Sequence, residues 1–157
     1  MSYWIIAVII CIVIFLPLYL FKWRKYRRIV SFRGRLLGQV NLSRKRKHLQ
    51  PLGRVIFLDR VAGRHSKSMA RRKFCDHHGF EDRVSLIKSK TGLSYVGENC
   101  YMFPARKYTA HVARELLRGW LKSPGHRANL LNPTYRRTGI GIVVRKGYVY
   151  ATQIFTD

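Results

Sequence analysis

The sequence predicts an α+β domain whose helices cover an antiparallel sheet, preceded by a single transmembrane helix. Three observations predict it: a charge-free apolar run at the N-terminus, two amphipathic helical patterns further on, and an alternating β-rich segment at the C-terminus. Helices followed by a closing hairpin suit an antiparallel sheet with helices packed on it, whereas alternating strands and helices would suit a parallel one. A chain of 157 residues is long enough for one domain plus an anchor.

The first element is "YWIIAVIICIVIFLPLYLF", residues 3–21, which contains no charged side chain. Its length matches the roughly 20 residues a bilayer-spanning helix needs. Tyr3 and Trp4 at one end and Trp23 at the other stand where interfacial rings are expected. No Lys or Arg precedes the run and it ends in bulky residues, so it differs from a cleaved signal peptide. An uncleaved anchor over residues 1–22 is the expectation. Pro17 is tolerable in such a helix, and Cys11 would pack or face lipid.

The second element is "KWRKYRRIVSFRGR", which has no acidic residue. It supplies a basic juxtamembrane segment over residues 23–35. Such a flank binds anionic headgroups at about 1 kcal/mol per basic residue, which makes the membrane the expected partner. By the positive-inside rule it also holds its side of the membrane in the cytoplasm. The whole chain carries 31 Lys and Arg against 7 Asp and Glu, a formal charge of +24. That charge attracts anionic lipid, nucleic acid or acidic polymers. No nucleic-acid motif accompanies it, and an anchor disfavours nucleic acid as a partner. Apolar and aromatic residues are too plentiful for a disordered chain. Three cysteines are too few for a disulfide scaffold. Phosphate loops, nucleophile elbows and Cys-x-x-Cys pairs are missing from the sequence.

The third element is a folded domain over residues 36–157. In "FLDRVAGRHSKSMARR", Leu58, Val61, Ala62, His65 and Met69 recur at helical steps, with Asp59 near the start and arginines at the end. "YTAHVARELLRGWLK" is a second helix with Val112, Leu116, Leu117 and Trp120 inward. In "SPGHRANLLN", Ser123 caps a helix and Pro124 opens its first turn. Gly125 would let another segment approach. His126 offers a ligand or a proton acceptor, or is simply a surface residue. "TGIGIVVRKGYVYATQIF" alternates around Lys146-Gly147 and predicts a β-hairpin.

Acidic residues are scarce, so Glu98 in "YVGENCYMF" stands out. A carboxylate between hydrophobic flanks must be paired, hydrogen-bonded or used. It either braces a loop or takes part in chemistry. The other polar candidates are His65, His77, His78, Asn99, His111 and His126.

In order, the chain carries N-x-x-R from Asn41, HS-x-x-MA from His65, F-x-x-H from Phe74, GEN, W-x-x-SPGHR from Trp120, G-x-G and Y-x-T-Q-x-F. This series resembles the CAP superfamily of cysteine-rich secretory proteins, venom allergens and plant pathogenesis-related proteins. The likeness is closest to its short bacterial and archaeal SCP-domain members. It implies an α-β-α sandwich with a cleft lined by two histidines and acidic residues, which in some members holds zinc or another divalent ion. By motif position, His77 and His126 are the cleft histidines, Glu98 is the GEN glutamate, and His78 lies one residue beyond the usual spacing. Ser123 stands where many animal and plant members have a second glutamate, so the two-His, two-Glu set is incomplete.

The resulting metal candidates are His77, His126 and Glu98, with zinc as the candidate cofactor. Glu98 is either a ligand or a hydrogen-bond partner of one, and it is the general base if the domain is an enzyme. Supporting roles fall to His65 as a core histidine, His78, Asn99 holding the GEN loop, Gly125 and Ser123. Asn41 and Arg44 brace the first helix, Trp120 is core and His111 exposed. Cys75 and Cys100 each lie two residues from a cleft candidate, as a disulfide or as two reduced thiols. The expected function is a membrane-anchored binding module at the cell envelope, its ligand a lipid, an envelope polymer or a protein. The alternative is a zinc-dependent hydrolase of peptides or esters. The chain leans away from enzyme, because no second catalytic carboxylate or oxyanion donor is identifiable. Resemblance to secreted proteins puts the domain outside, whereas the basic flank puts it inside.

Overall fold

The computed structural model describes the backbone of residues 3–157 and the side chains of Trp4 and residues 13–157. The elements in order are α1 (Tyr3–Lys45), β1 (Gly53–Arg54), α2 (Ile56–Arg72), α3 (Phe80–Thr91), β2 (Val96–Pro104), α4 (Ala110–Lys122), α5 (Pro124–Leu130), β3 (Arg137–Arg145) and β4 (Tyr148–Thr156). The chain divides into two compact units, one ending at Ser31 and one of Phe32–Asp157.

In the first unit the helix presents exposed apolar side chains, among them Ile14, Phe15, Leu18 and Phe21. Trp23 and Tyr26 stack at 5.9 Å. Among the described residues no helix is long and apolar enough to cross a membrane. The transmembrane helix expected over residues 1–22 rests largely on side chains outside the described residues.

The second unit is built on a four-stranded sheet of order β1-β3-β4-β2. The three long strands are antiparallel, as the alternating pattern predicts. The hairpin turns at Lys146 and Gly147, both with positive φ (48° and 79°), the geometry a two-residue hairpin requires. The two-residue β1 lies parallel to β3, so the sheet is mixed and not purely antiparallel. Two residues are too few to show any period.

Side-chain alternation along β2 establishes the sandwich. Cys100 packs with Met69 and Ala70 of α2. Its neighbour Asn99 bonds to α5, and Gly119 of α4 sits against the Tyr101 ring. Helix α2 therefore covers one face, with α4 and α5 on the other. Helix α2 lies on β3 so closely that a Cβ on Gly141 would run into the Ala62–Gly63 backbone. The α2 core gathers Leu58, Val61, Ala62, Ile87 and Ile154. Asp59 is buried there rather than serving the helix end alone. It accepts from the Ile140 backbone N–H at 2.7 Å and from Arg54 Nε at 2.7 Å.

The second helix begins at Thr109, whose hydroxyl caps it by accepting from Val112 N–H. Val112, Leu116 and Trp120 are buried as expected, while Leu117 is only half-buried. Arg44 is fully buried and ties α1 to the far side of the domain. It donates to the carbonyls of Gln50, Leu130, Asn132 and Tyr135. Asn41 does the same locally, exchanging two bonds with the Leu52 backbone.

Candidate functional site

Strand β2 is an edge of the sheet, and the segment between α2 and α3 meets the start of α5 there. The GEN residues lie in this strand and not in a loop. Gly97 is required because a Cβ would strike the Tyr135 ring. Alternation then sends Glu98 toward α2 and α3, and Asn99 toward α5. Asn99 Nδ2 donates to the His126 carbonyl at 2.9 Å. Asn129 Nδ2 donates to both Asn99 Oδ1 (2.9 Å) and the Glu98 carbonyl (3.2 Å). This amide pair fixes α5 on the edge strand.

Glu98 is 6% exposed and both oxygens of its carboxylate accept hydrogen bonds. Arg83 of α3 donates Nε to Oε2 at 2.7 Å and Nη2 to Oε1 at 2.6 Å. His77 Nδ1 donates to Oε1 at 2.9 Å, and Cys100 Sγ lies 3.5 Å from the same oxygen. Burial alone pushes this carboxyl upward. The Arg83 hydrogen bonds and charge, with His77, outweigh burial and hold it below the ordinary carboxylate range.

The His77 and His126 rings stand 6.4 Å apart, centroid to centroid. Its bond to Glu98 leaves His77 with Nε2, on a side chain half exposed to solvent. His126 Nδ1 is buried and makes no hydrogen bond among the described residues. Burial, then the neighbouring His77, lowers its pKa and so favours the neutral imidazole.

The supporting residues divide. His65 is buried and donates Nε2 to the Asp76 carbonyl at 2.8 Å, so it is a satisfied core histidine. His78 lines a cavity between α2 and α3 that His65 and Arg83 also line, and its side chain makes no bond to Glu98 among the described residues. Its carbonyl accepts from Arg83. Ser123 occupies the N-cap position of α5, but its side chain makes no cap bond, contrary to expectation. Gly125 is not needed for close approach, because a Cβ there meets nothing within 4 Å. Ligand atoms of His65, Glu98 and Cys100 lie within 4.8 Å of one another, yet His65 and Glu98 are already committed to Asp76 and Arg83. Cys75 and Cys100 are free thiols. Sequence reasoning missed Arg83 and Asn129, the residues that fix Glu98 and Asn99. Arg83 lies in "HHGFEDR", just after His77, and Asn129 in "SPGHRANLLN", three residues after His126.

The cysteine-rich secretory protein family, CAP, matches residues 37–155. Uncharacterized protein YkwD of Bacillus subtilis (strain 168) is 27% identical over 129 residues, which cover 80% of this chain and 47% of YkwD. An extracellular protein containing a SCP domain from Bacillus anthracis str. Ames superposes with a TM-score of 0.62 and 30% identity, over 80% of this chain and 40% of that one. An outer surface protein of Borrelia burgdorferi shares the fold, with a TM-score of 0.69 and 17% identity over 81% of this chain and 92% of its own. The chain thus spans less than half the length of the two Bacillus proteins. With its motifs in order, its sandwich in place and the family matched across nearly all of the second unit, the chain belongs to the cysteine-rich secretory protein (CAP) family.

Proposed function

We propose that this chain is a membrane-tethered CAP domain on the outer side of the membrane, and that it binds a ligand or partner through the His77–His126 cleft. The state of Glu98 carries the reading. Both of its oxygens accept from Arg83, and one of them also from His77. A catalytic zinc requires three protein ligands and an open position. The cleft offers two imidazoles and a carboxylate already committed to Arg83 and His77, so its donor set does not fit a resident catalytic zinc. A hydrolase would also have a weakened general base, since Arg83 and His77 hold the Glu98 carboxyl below the ordinary carboxylate range.

What the cleft does offer is the remaining nitrogen of His77 beside the unpaired Nδ1 of His126. A ligand hydroxyl or amide between them would satisfy a buried polar atom that otherwise costs about 1–3 kcal/mol. The outside location is supported by the Bacillus anthracis relative, described as extracellular. Tethering is supported by the charge-free run over residues 3–21 and its basic flank, which suits anionic headgroups. Lipid and envelope polymer are the ligand classes to try first.

The test is a calorimetric zinc titration of the full chain in neutral-lipid nanodiscs, alongside His77→Ala and His126→Ala. The expected result is no saturable site in the micromolar range. A one-site micromolar isotherm abolished in both variants would overturn the reading and return the cleft to zinc-dependent hydrolysis.

A further inference from the structure

Within the second unit, the last turns of α1 and the outer side of α4 enclose a groove of about 480 Å³. Its floor is Leu42, Leu117 and Leu121. Leu42 is 49% exposed, a large apolar side chain left in water on an otherwise polar stretch. Its rim is basic: Arg114, Arg118 and Lys122 along α4, with Arg46 across from them just past the end of α1. None of these residues belongs to the cleft.

The spacing of the rim says what kind of anion fits. Residues 114, 118 and 122 recur at four-residue steps, about one helical turn apart, over a length of about 12 Å. Arg118 shares one N–H with Glu115 at 2.7 Å. Arg114, Lys122 and Arg46 make no ion pair among the described residues and are exposed. One carboxylate headgroup cannot answer cations spread along two turns and on both sides. An amphipathic helix can, with carboxylates one turn apart on each flank of an apolar stripe. A second copy of this chain is a poor occupant. It has 7 acidic residues against 31 basic ones, and Asp59, Asp76, Glu98 and Glu115 are already paired.

We propose that this groove docks an acidic amphipathic helix from a partner protein. Its apolar side chains cover Leu42, Leu117 and Leu121, and its carboxylates meet Arg46, Arg114 and Lys122. The probe is a fluorescein-labelled synthetic peptide with leucine at i, i+3, i+4 and i+7 and glutamate on both flanks. It is titrated by anisotropy into the full chain held in neutral phosphatidylcholine nanodiscs. Saturable binding is expected, weakened about tenfold or more in Leu117→Glu and in Arg114→Glu. A peptide with lysine at the matching flank positions should regain affinity for Arg114→Glu alone. Arg114 is exposed, so that variant keeps its fold, which an unchanged circular-dichroism melting curve checks. Equal binding of a scrambled peptide of the same composition would overturn the proposal, as would indifference to both substitutions. Displacement of the peptide by oleate at matched concentration, with oleate binding lost in both variants, would assign the groove to a lipid anion instead.

Discussion

At the scale of the residue, the centre of the domain is one carboxylate and the guanidinium that neutralises it. The Glu98 side chain is 1% exposed and that of Arg83 12%. Removing one member of such a pair leaves an uncompensated buried charge. Arg83→Met is therefore expected to destabilise the domain by about 3 kcal/mol, measured by urea unfolding. Adding Glu98→Gln to it should recover part of that loss, because no buried charge remains to be compensated. If the double variant is as unstable as the single one, the loss comes from packing and not from charge. Glu98 was legible in the sequence because it is one of only 7 acidic residues and sits between apolar flanks. Arg83 was not legible. It is one of 31 basic residues, and nothing in its neighbours marks it as the one that turns inward. Asn129 was hidden for a similar reason, since an amide reveals its role only when the backbone it bonds is in view.

At the scale of the element, the strongest periodicities gave the right structure and the weak ones did not. The stripe of α2, the inward face of α4 and the alternation of the hairpin all bury side chains on one face, and so leave a repeating mark. Helix α3 buries only Ile87, too little to show a period. Strand β2 holds polar GEN residues inside the sheet, where composition alone suggests a loop. Glycines mislead in a related way, because a sequence does not say which ones face a neighbour. Gly141→Ala should cost about 3 kcal/mol, near the upper end for overpacking, since the new methyl meets α2 backbone that cannot rotate aside. Gly125→Ala should instead raise stability by about 0.5–1 kcal/mol, because the site is open and helical. Thermal unfolding of the two variants checks both signs. A loss at Gly125 comparable to that at Gly141 would show that a packed segment covers the cleft end of α5.

At the scale of the whole molecule, the proposed tether leaves two opposing arguments about the side on which the domain resides. The basic flank after the apolar run favours retention in the cytoplasm. Kinship with proteins that include an extracellular one favours export. The native thiols allow a clean measurement. Cys75 is half-buried, and burial, with Asp76 and Glu98, pushes its pKa up to about 11. Cys100 is buried, and burial pushes its thiol up further. Thiolate is the reactive form, so neither thiol should react quickly with a maleimide at neutral pH. Ser85 is exposed on α3, and Ser85→Cys in a Cys11→Ser background provides one fast-reacting position. On intact cells expressing the full chain, a membrane-impermeant maleimide is expected to label this variant before lysis and to leave the parent nearly unlabelled. Labelling that appears only after lysis would mean that the basic flank decides the topology. The cleft and the groove would then face cytoplasmic ligands, and envelope polymers would drop out as candidates.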